Sequence, residues 1–365
     1  MSPRRLAVVK VGTSSLTSAS GAIDDGALAK LCDDVAAARV DGWQIVLVAS
    51  GAVAAGLPAL GFDRRPTDMS VLQAVAAVGQ PRLVARIGAR LESHRIVTGQ
   101  VLLTPYDFAQ RSQYLHARQT FEQLLELGVL PVVNENDTIA DDEIRYGDND
   151  LLAALVANML RAETLALLTD TRGLFTTDPR IDERASLVEE IVEFDALEAV
   201  AGGSRSAHGS GGMASKLAAA KMAAWSGVRA VIASATEPDV VRGALAARAG
   251  VGTVVQAREA RLSARKLWIA FAQPARGRVV VDAGARTALL HDGRSLLAAG
   301  VRAVEGTFEV DAPVEVIGPD REVFAKGLAR YSGEGLRAVA GLRTSVLPDG
   351  APNEVIHRDD LVLLP

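Results

Sequence analysis

Two apolar runs, Leu6-Ala7-Val8-Val9 and Ile45-Val46-Leu47-Val48, decide the fold of this chain. Each run is apolar on both faces, which is typical of a strand buried inside a parallel sheet. Between them, apolar residues recur at helical spacing, with Asp24 as a helix cap and Gly42 as a stop. A strand, a helix and a second strand in this order predict a right-handed crossover unit.

The same alternation continues to about residue 235. Further strands are predicted at 97–103, 129–133, 165–168 and 230–233. Further helices are predicted at 71–78, 82–94, 112–127, 151–160, 194–200 and 213–226, the first of them ending at Gly79 and Pro81. Strands separated by helices predict a three-layer α/β/α sandwich around a mainly parallel sheet.

After about residue 260 the pattern changes. Short strands are predicted at 279–281, 308–310, 314–316 and 323–325, and one short helix at 295–299. We therefore expect a large domain at 1–260, a linker at 261–273, and a small β-rich domain at 274–365 that resembles a half-open barrel.

Composition narrows the class of protein. The chain has 365 residues, 49% of them hydrophobic, and a net charge of −5, so no overall basic character favours nucleic acid as a partner. The single cysteine, Cys32, excludes an intrachain disulfide, and its apolar helical setting favours buried filler over a reactive thiol. No run is long enough to span a bilayer, and Lys10 interrupts the N-terminal apolar run, so we expect a cytoplasmic protein without a signal peptide or membrane segment.

Polar residues follow the predicted strands where each one ends. In an open α/β sheet these carboxyl ends meet at one edge, where ligands bind. The residues concerned are Lys10, Gly12, Ser50, Gly51, Asn134, Glu135, Asn136, Asp137, Thr169 and Asp170.

The segment Gly147-Asp148-Asn149-Asp150 leads directly into the predicted helix 151–160. A helix N-terminus offers unpaired amides and partial positive charge. Carboxylates and amides at this point predict a binding place for a small charged metabolite. A helix start that is simply capped by Asp148 or Asn149 is the alternative.

Two lysines stand in positions that suit an anion. Lys10 interrupts a buried run, where a lysine is costly unless it meets an anion; an edge lysine that reaches water is the alternative. Lys216 ends the segment His208-Gly209-Ser210-Gly211-Gly212-Met213-Ala214-Ser215-Lys216, which opens a predicted helix. The segment predicts an anion nest unlike the P-loop pattern; a flexible surface loop is the alternative. Two lysines, Asp150 and a glycine nest fit phosphoryl transfer.

Together these motifs resemble the amino acid kinase family, and within it the glutamate-directed branch. The matching pieces are Val9–Ser14, Val48–Val53, Asn134–Asp137, Tyr146–Asp150, Leu168–Phe175 and Gly209–Lys216. The segment Lys326-Gly327-Leu328-Ala329-Arg330-Tyr331-Ser332 is similar to the PUA domain that many bacterial members carry.

The resemblance implies the amino acid kinase fold and ATP-dependent phosphorylation of the γ-carboxylate of L-glutamate, the first step of proline biosynthesis. It implies that Lys10 and Lys216 neutralise the transferring phosphoryl group, that Asp150 holds both lysines, and that Mg²⁺ bridges the phosphates without an assigned protein ligand. Glutamate would be bound by Ser50, Asn134, Asp137, Asp148 and Asn149. The nucleotide would be bound by Lys10, Gly12, Thr169, Asp170, Ser210, Gly211, Gly212, Met213, Ala214, Ser215 and Lys216.

The resemblance further implies feedback inhibition by proline, a homodimer or homotetramer, and hand-over of the acyl phosphate to a glutamyl-phosphate reductase. Two alternatives remain at this point. One is a sister kinase acting on aspartate, N-acetylglutamate, carbamate or a nucleotide; the other is an RNA-binding regulatory protein that uses its PUA-like domain. Residues 273–365 carry 10 Arg and 1 Lys against 7 Asp and 6 Glu, a net charge of −2, which argues against RNA.

Overall fold

The computed structural model describes residues 5–18, 21–104, 107–108, 110–139, 149–177, 182, 184–192, 212–259, 262–272 and 275–364. The chain divides into two compact units, Met1–Arg261 and Leu262–Pro365. Among the helices described, none combines the length and apolar character that a bilayer crossing requires.

The first unit is built on an eight-stranded sheet with the order β3-β4-β2-β1-β5-β7-β8-β6. Neighbouring strands run parallel except β7 and β8. The mainly parallel sheet predicted from the sequence is therefore confirmed. The strands are β1 (Leu6–Val11), β2 (Gln44–Ala49), β3 (Thr98–Leu103), β4 (Leu130–Glu135), β5 (Thr164–Thr169), β6 (Glu190–Ile191), β7 (Arg229–Ser234) and β8 (Thr253–Val255).

Helices cover both faces of this sheet. They are α1 (Asp25–Val40), α2 (Ala52–Gly56), α3 (Met69–Glu92), α4 (Arg111–Glu126), α5 (Asn149–Leu160), α6 (Met213–Trp225) and α7 (Val240–Leu245). On one face Val9 and Val11 of β1 pack in a core with α1, α3 and α7. Because side chains alternate along a strand, Lys10 points to the opposite face, where it meets α5.

The lone cysteine lies in the core formed on the α1 side. Cys32 is fully buried, and burial raises the pKa of its thiol to about 12. The thiol therefore stays protonated at neutral pH and behaves as apolar filler.

One predicted boundary in this unit is wrong. The helices predicted at 71–78 and 82–94 are a single helix, α3, which continues through Pro81. Gly79 does not stop the helix; it lets α3 approach α2, since a Cβ there would lie 1.8 Å from the backbone oxygen of Ala52. The helix predicted at 194–200 lies outside the described residues.

The second unit contains a five-stranded sheet with the order β11-β9-β12-β13-β15 and a separate pair, β10 and β14. These strands are β9 (Gly277–Val281), β10 (Leu296–Leu297), β11 (Val301–Gly306), β12 (Pro313–Ile317), β13 (Val323–Leu328), β14 (Glu354–Ile356) and β15 (Leu361–Leu363). The helices are α8 (Ala264–Leu267), a π-helical turn (Trp268–Ala272), α9 (Ala283–His291) and α10 (Gly333–Val339). Both the first helix and the π-helical turn fall in the segment predicted as a linker.

Two element predictions in this unit are wrong. Residues 308–310 are not a strand, because positive φ angles at Gly306 (85°) and Asp311 (64°) turn the chain on either side of them. The helix predicted at 295–299 is replaced by β10 and a 3₁₀ turn. The α-helix of this region, α9, lies earlier in the chain. The sequence signal for it was the N-cap residue Asp282, whose carboxylate accepts a hydrogen bond from the Ala285 amide at 2.8 Å.

Candidate active site

Three charged side chains from distant parts of the chain meet in the first unit. Asp150, in the first turn of α5, is fully buried. The Lys10 Nζ lies 2.5 Å from its Oδ1, and the Lys216 Nζ lies 3.1 Å from its Oδ2. Lys10 lies near the end of β1 and is 3% exposed; Lys216 lies in the first turn of α6 and is 5% exposed. Neither lysine reaches outward to solvent.

Two ammonium groups of this cluster, those of Lys10 and Lys216, share the carboxylate of Asp150. A carboxylate in the first turn of a helix is favoured by the helix dipole, which accounts for the place of Asp150 at the start of α5. Burying charged groups is costly unless opposite charges meet them. The three side chains together carry a charge of +1, so the cluster is suited to receive an anion.

The start of α6 adds backbone donors beside the lysines. Gly212, at the N-cap, has no side chain that could cap the helix, and the amides of Met213 and Ala214 have no acceptor among the described residues. Such amides form an anion-binding site at a helix N-terminus. The hydroxyl of Ser215 lies 3.1 Å from Asp150 Oδ2 and 3.2 Å from the carbonyl oxygen of Gly212, so it ties α6 to the carboxylate.

Next to Asp150 in sequence, Asn149 joins a second polar group. Its Nδ2 lies 2.8 Å from the Ser50 Oγ and 2.8 Å from the Asn134 Oδ1. The backbone amide of Glu135 donates to the Oδ1 of Asn134 at 2.9 Å. The ends of β2 and β4 thus meet the start of α5, and three residues predicted to bind the acceptor lie together.

One member of this polar group was not predicted from the sequence. Gln80, inside α3, accepts a hydrogen bond from Asn134 Nδ2 at 2.7 Å. It is only 8% exposed. A glutamine on the apolar side of a helix was the available signal, but periodicity cannot say which partner such a residue meets.

The remaining predicted residues lie around these two groups. Thr169 is buried at the end of β5, with its Oγ1 3.0 Å from Oδ1 of the exposed Asp170. A Cβ at Gly12 would lie 3.6 Å from the Lys10 Nζ, so the glycine leaves space beside that ammonium. Asp137 is half-buried in the turn after β4. Asp148, Ser210 and Gly211 lie outside the described residues.

A cavity of about 230 Å³ lies elsewhere, lined among others by Val11, Leu31 and Leu168. Val11 points away from Lys10, so this cavity opens on the other face of the sheet. Its polar lining residues include Lys30 and Asp34 but not Lys10, Lys216 or Asp150, so the cavity is separate from the charged cluster.

Within the described part of the chain, no group of three or more His, Cys, Asp or Glu side chains could hold a metal ion. Mg²⁺ commonly keeps several waters and binds through substrate phosphates with few protein ligands. A Mg²⁺ that arrives on a nucleotide would need few ligands from the protein.

The first unit is an α/β/α sandwich. It brings together a buried pair of lysines and a helix N-terminus whose first amides have no acceptor among the described residues. These are features of a small-molecule phosphotransferase. A model of the amino acid kinase family matches residues 5–234, and a PUA domain model matches residues 277–347. The chain therefore belongs to the amino acid kinase family, and the resemblance noted from its motifs is confirmed.

Curated relatives extend the match over nearly the whole chain. Glutamate 5-kinase of Burkholderia multivorans is 47% identical over 363 residues, covering 98% of this chain and 97% of its own length. Glutamate 5-kinase of Burkholderia vietnamiensis is 46% identical with the same coverage. Carbamate kinase from Giardia lamblia bound to AMP-PNP shares the fold, with a TM-score of 0.52, 17% identity, and coverage of 71% of this chain and 100% of its own.

Proposed function

We propose that this protein transfers the γ-phosphoryl group of ATP to the γ-carboxylate of L-glutamate, forming L-glutamyl 5-phosphate in the first step of proline biosynthesis. The observation that carries the proposal is the pair of buried lysines on Asp150, immediately beside the amide group of Asn149. The name shared by curated relatives along 98% of the chain supports glutamate as the acceptor.

The chemical difficulty of this reaction is bringing an anion to a polyanion. The γ-carboxylate is already ionised at pH 7, so no general base is required. One of its oxygens attacks the γ-phosphorus, the bond from phosphorus to the β–γ bridging oxygen breaks, and ADP leaves with the electron pair. Lys10 and Lys216 offset the charge on the transferring group, and Asp150 fixes the position of both ammonium groups.

The two halves of the site take different partners. The space beside Gly12 and the amides of Met213 and Ala214 are suited to phosphate oxygens. Ser50, Asn134 and Asn149 form the uncharged hydrogen-bonded group on the acceptor side, from which the Ser50 hydroxyl can donate to the acceptor. The carboxylates of Asp137 and Asp148 are suited to the α-ammonium of glutamate, because an ammonium has donors only. Thr169, Asp170, Ser210, Gly211, Gly212 and Ser215 complete the proposed nucleotide side.

Mg²⁺ is the metal that we propose for the reaction, carried on the nucleotide. When bound, it neutralises part of the phosphate charge.

We also propose that the chain is divided into a first domain at 1–260, a linker at 261–273 and a second domain at 274–365. Inhibition by proline, assembly as a homodimer or homotetramer, hand-over to a glutamyl-phosphate reductase and a cytoplasmic location stay predictions.

A substrate panel tests the assignment. The purified chain is incubated with ATP, Mg²⁺ and either glutamate, aspartate or N-acetylglutamate, and ADP release is measured with hydroxylamine trapping of the acyl phosphate. We expect trapped product with glutamate well above that with the other two acids. Equal or greater product with another acceptor would overturn the choice of substrate, and ADP release without trapped product would overturn acyl phosphate formation.

Lys216 is expected to act directly on the transferring phosphoryl group. Lys216→Ala removes one of the two charges at the phosphoryl group, so we expect kcat to fall by about 10²-fold or more, as for loss of a transition-state contact. The matched control is Lys221→Ala on the same helix, whose Nζ lies 5.8 Å from the centroid of the Trp225 ring. We expect its kcat to stay within about twofold of wild type. Near-normal turnover in Lys216→Ala would remove the proposed role.

A further inference from the structure

The buried amide of Gln80 belongs to no motif that pointed to the function. It lies inside α3, is 8% exposed, and contacts the acceptor side of the site through Asn134. We propose that Gln80 is a positioning residue for the acceptor: it sets the orientation of the Asn134 amide and thereby the direction in which the Ser50 hydroxyl donates. This inference rests on the proposed function.

The orientation of Asn134 follows from its three partners. Its Nδ2 donates to Gln80 Oε1 at 2.7 Å, which leaves Oδ1 on the other side. There Oδ1 accepts from Asn149 Nδ2 at 2.8 Å and from the Glu135 amide at 2.9 Å. Rotating the Asn134 amide by half a turn would place its NH₂ group against these two donors. Gln80 supplies the acceptor that makes the observed orientation the favourable one.

The orientation of Asn149 follows in turn. A side-chain amide has two N–H donors, and those of Asn149 go to Asn134 Oδ1 and to Ser50 Oγ, each at 2.8 Å. Its own Oδ1 lies 3.3 Å from the Glu135 amide. The hydrogen bonds therefore run in one direction, with Asn149 donating both to Asn134 and to Ser50.

Ser50 is the end of this chain of hydrogen bonds. Its hydroxyl accepts from Asn149, so its one hydrogen points away from Asn149. A hydroxyl held in this way presents a donor, which is the group that a carboxylate oxygen requires. Gln80 thus sets the direction of the hydrogen bonds in this chain, and that direction leaves the Ser50 hydroxyl as a donor to the substrate.

Gln80 also carries a donor of its own that this role does not use. Its Nε2 is buried and has no hydrogen-bond partner among the described residues. The carbonyl oxygen of Gln80 is the atom that orients Asn134.

A substitution at Gln80 can distinguish a role in positioning the acceptor from a role in folding. Gln80→Met keeps the side-chain length and removes the acceptor, so we expect the KM for glutamate to rise about tenfold, the factor for one net hydrogen bond. The KM for ATP should stay within about twofold, since the lysine cluster is untouched. The control is Gln73→Met on the same helix, with both KM values expected within about twofold of wild type.

A double-mutant cycle tests whether Gln80 acts through Asn134. If it does, adding Gln80→Met to Asn134→Ala raises the KM for glutamate no further than Asn134→Ala does alone. Additive effects of the two changes, an unchanged KM for glutamate in Gln80→Met, or equal rises in both KM values would each overturn the inference. Wild-type chain that releases no ADP with glutamate would overturn the proposed function and the inference with it.

A second variant decides the question if Gln80→Met does not fold. Gln80→Glu keeps an acceptor for Asn134, and burial raises the pKa of a carboxyl group. We expect its KM for glutamate to lie near the wild-type value at about pH 6 and to rise toward pH 9, as the introduced carboxyl ionises and repels the substrate. A KM for glutamate that is raised equally at every pH would overturn the inference.

Discussion

At the scale of single residues, Asp150 is the most constrained position in the described site. It is fully buried, and both of its oxygens face an ammonium group. Breaking a buried ion pair by removing one partner is far more costly than exchanging a surface pair. The same carboxylate thus serves both stability and the proposed transfer.

We therefore predict that Asp150→Asn lowers the free energy of unfolding by about 3–5 kcal/mol in the absence of ligand. A non-hydrolysable ATP analogue should raise the melting temperature of this variant more than that of wild type, because phosphates would supply the missing negative charge. Thermal melts with and without the analogue measure both effects.

The control for this change is Glu122→Gln, which removes an exposed i,i+4 partner of Arg118. It should cost no more than about 0.5 kcal/mol. Equal destabilisation by the two substitutions would contradict the importance of the buried cluster.

In the second unit, the charged residue Lys326 is also buried. The Nζ of Lys326 donates to the carbonyl oxygen of Ala270 at 3.2 Å. Burial lowers its pKa from 10.5 to about 8, although Glu315 acts in the opposite direction. Between these two pH values the unfolded chain binds more protons than the folded chain, so this residue's contribution to stability rises with pH.

We predict that Lys326→Met stabilises the protein more, relative to wild type, at pH 7 than at pH 10. At pH 7 the wild type holds a buried ammonium that methionine replaces with an uncharged chain, whereas at pH 10 the folded lysine is already neutral. Chemical denaturation at the two pH values measures the difference, with Lys266→Met as control. A difference that grows with pH would show that burial does not lower the pKa of Lys326.

At the scale of elements, the close contact between α2 and α3 holds the acceptor side together. A Cβ at Gly56 would lie 2.1 Å from the backbone oxygen of Val75, and one at Gly79 would lie 1.8 Å from that of Ala52. Gly51, with a φ of 118°, makes the turn that leads from Ser50 into α2. The helix that carries Gln80 and the turn that carries Ser50 are therefore packed backbone to backbone.

Gly79→Ala is predicted to destabilise the protein by about 2 kcal/mol or more, because overpacking against a backbone atom forces the two helices apart. It should also raise the KM for glutamate. The control is Gly88→Ala on the same helix, where the added Cβ would meet only the Thr98 Oγ1 at 3.2 Å. Its change should stay within about 1 kcal/mol. Denaturant melts of the two variants measure the difference, and greater destabilisation at Gly88 would contradict close packing at Gly79 as the cause.

The motif that resembles a PUA domain shapes the packing of the second unit. A Cβ at Gly327 would lie 2.5 Å from the Ile356 Cγ2. The Tyr331 hydroxyl donates to the carbonyl oxygen of Pro352, and the Ser332 Oγ accepts from the Gly335 amide as the cap of α10. None of these contacts requires a bound ligand.

At the scale of the whole molecule, the two units have separate hydrophobic cores. Most arginines of the second unit lie within 4 Å of a carboxylate, which reduces the positive field that a nucleic acid would meet. The pairs are Arg265–Asp360, Arg278–Glu315, Arg286–Asp320, Arg294–Asp292, Arg302–Asp282, Arg321–Glu305, Arg330–Glu354 and Arg358–Asp359.

We therefore predict that the full-length protein binds RNA no more tightly than non-specific contacts allow, with a Kd weaker than about 1 µM at physiological salt. A titration with structured and single-stranded RNA over a salt series measures this. Nanomolar binding that weakens steeply with salt would instead support an RNA-binding role.

The sequence predicted most where local pattern and burial agree. Both-face apolar runs located β1 and β2 correctly, because such runs are stable only inside a covered sheet. Prediction from the sequence failed where the same local pattern occurs in two different structural environments. Gly79 and Pro81 are typical of a helix stop, but Gly79 serves a helix contact; Phe308 and Val310 alternate like a strand but lie between two turns.

In the candidate site, too, some residues could be predicted from the sequence and one could not. Lys10, Asp150, Lys216 and Asn149 could be named from the sequence because charged or amide residues at strand ends and helix starts commonly bind ligands. Gln80 could not be named, since its role depends on the 2.7 Å contact with Asn134, and helical periodicity carries no information on partners in other elements.

By itself the sequence determined the α/β/α architecture, the β-rich second domain and the membership of a phosphotransferase family, because hydrophobic period and motif order are local properties of the chain. Only the tertiary structure decided that both lysines close on one carboxylate and that a buried amide of α3 meets the acceptor residues. Hydrogen bonds and ion pairs have fixed lengths and directions, so their partners are settled only when distant segments pack together.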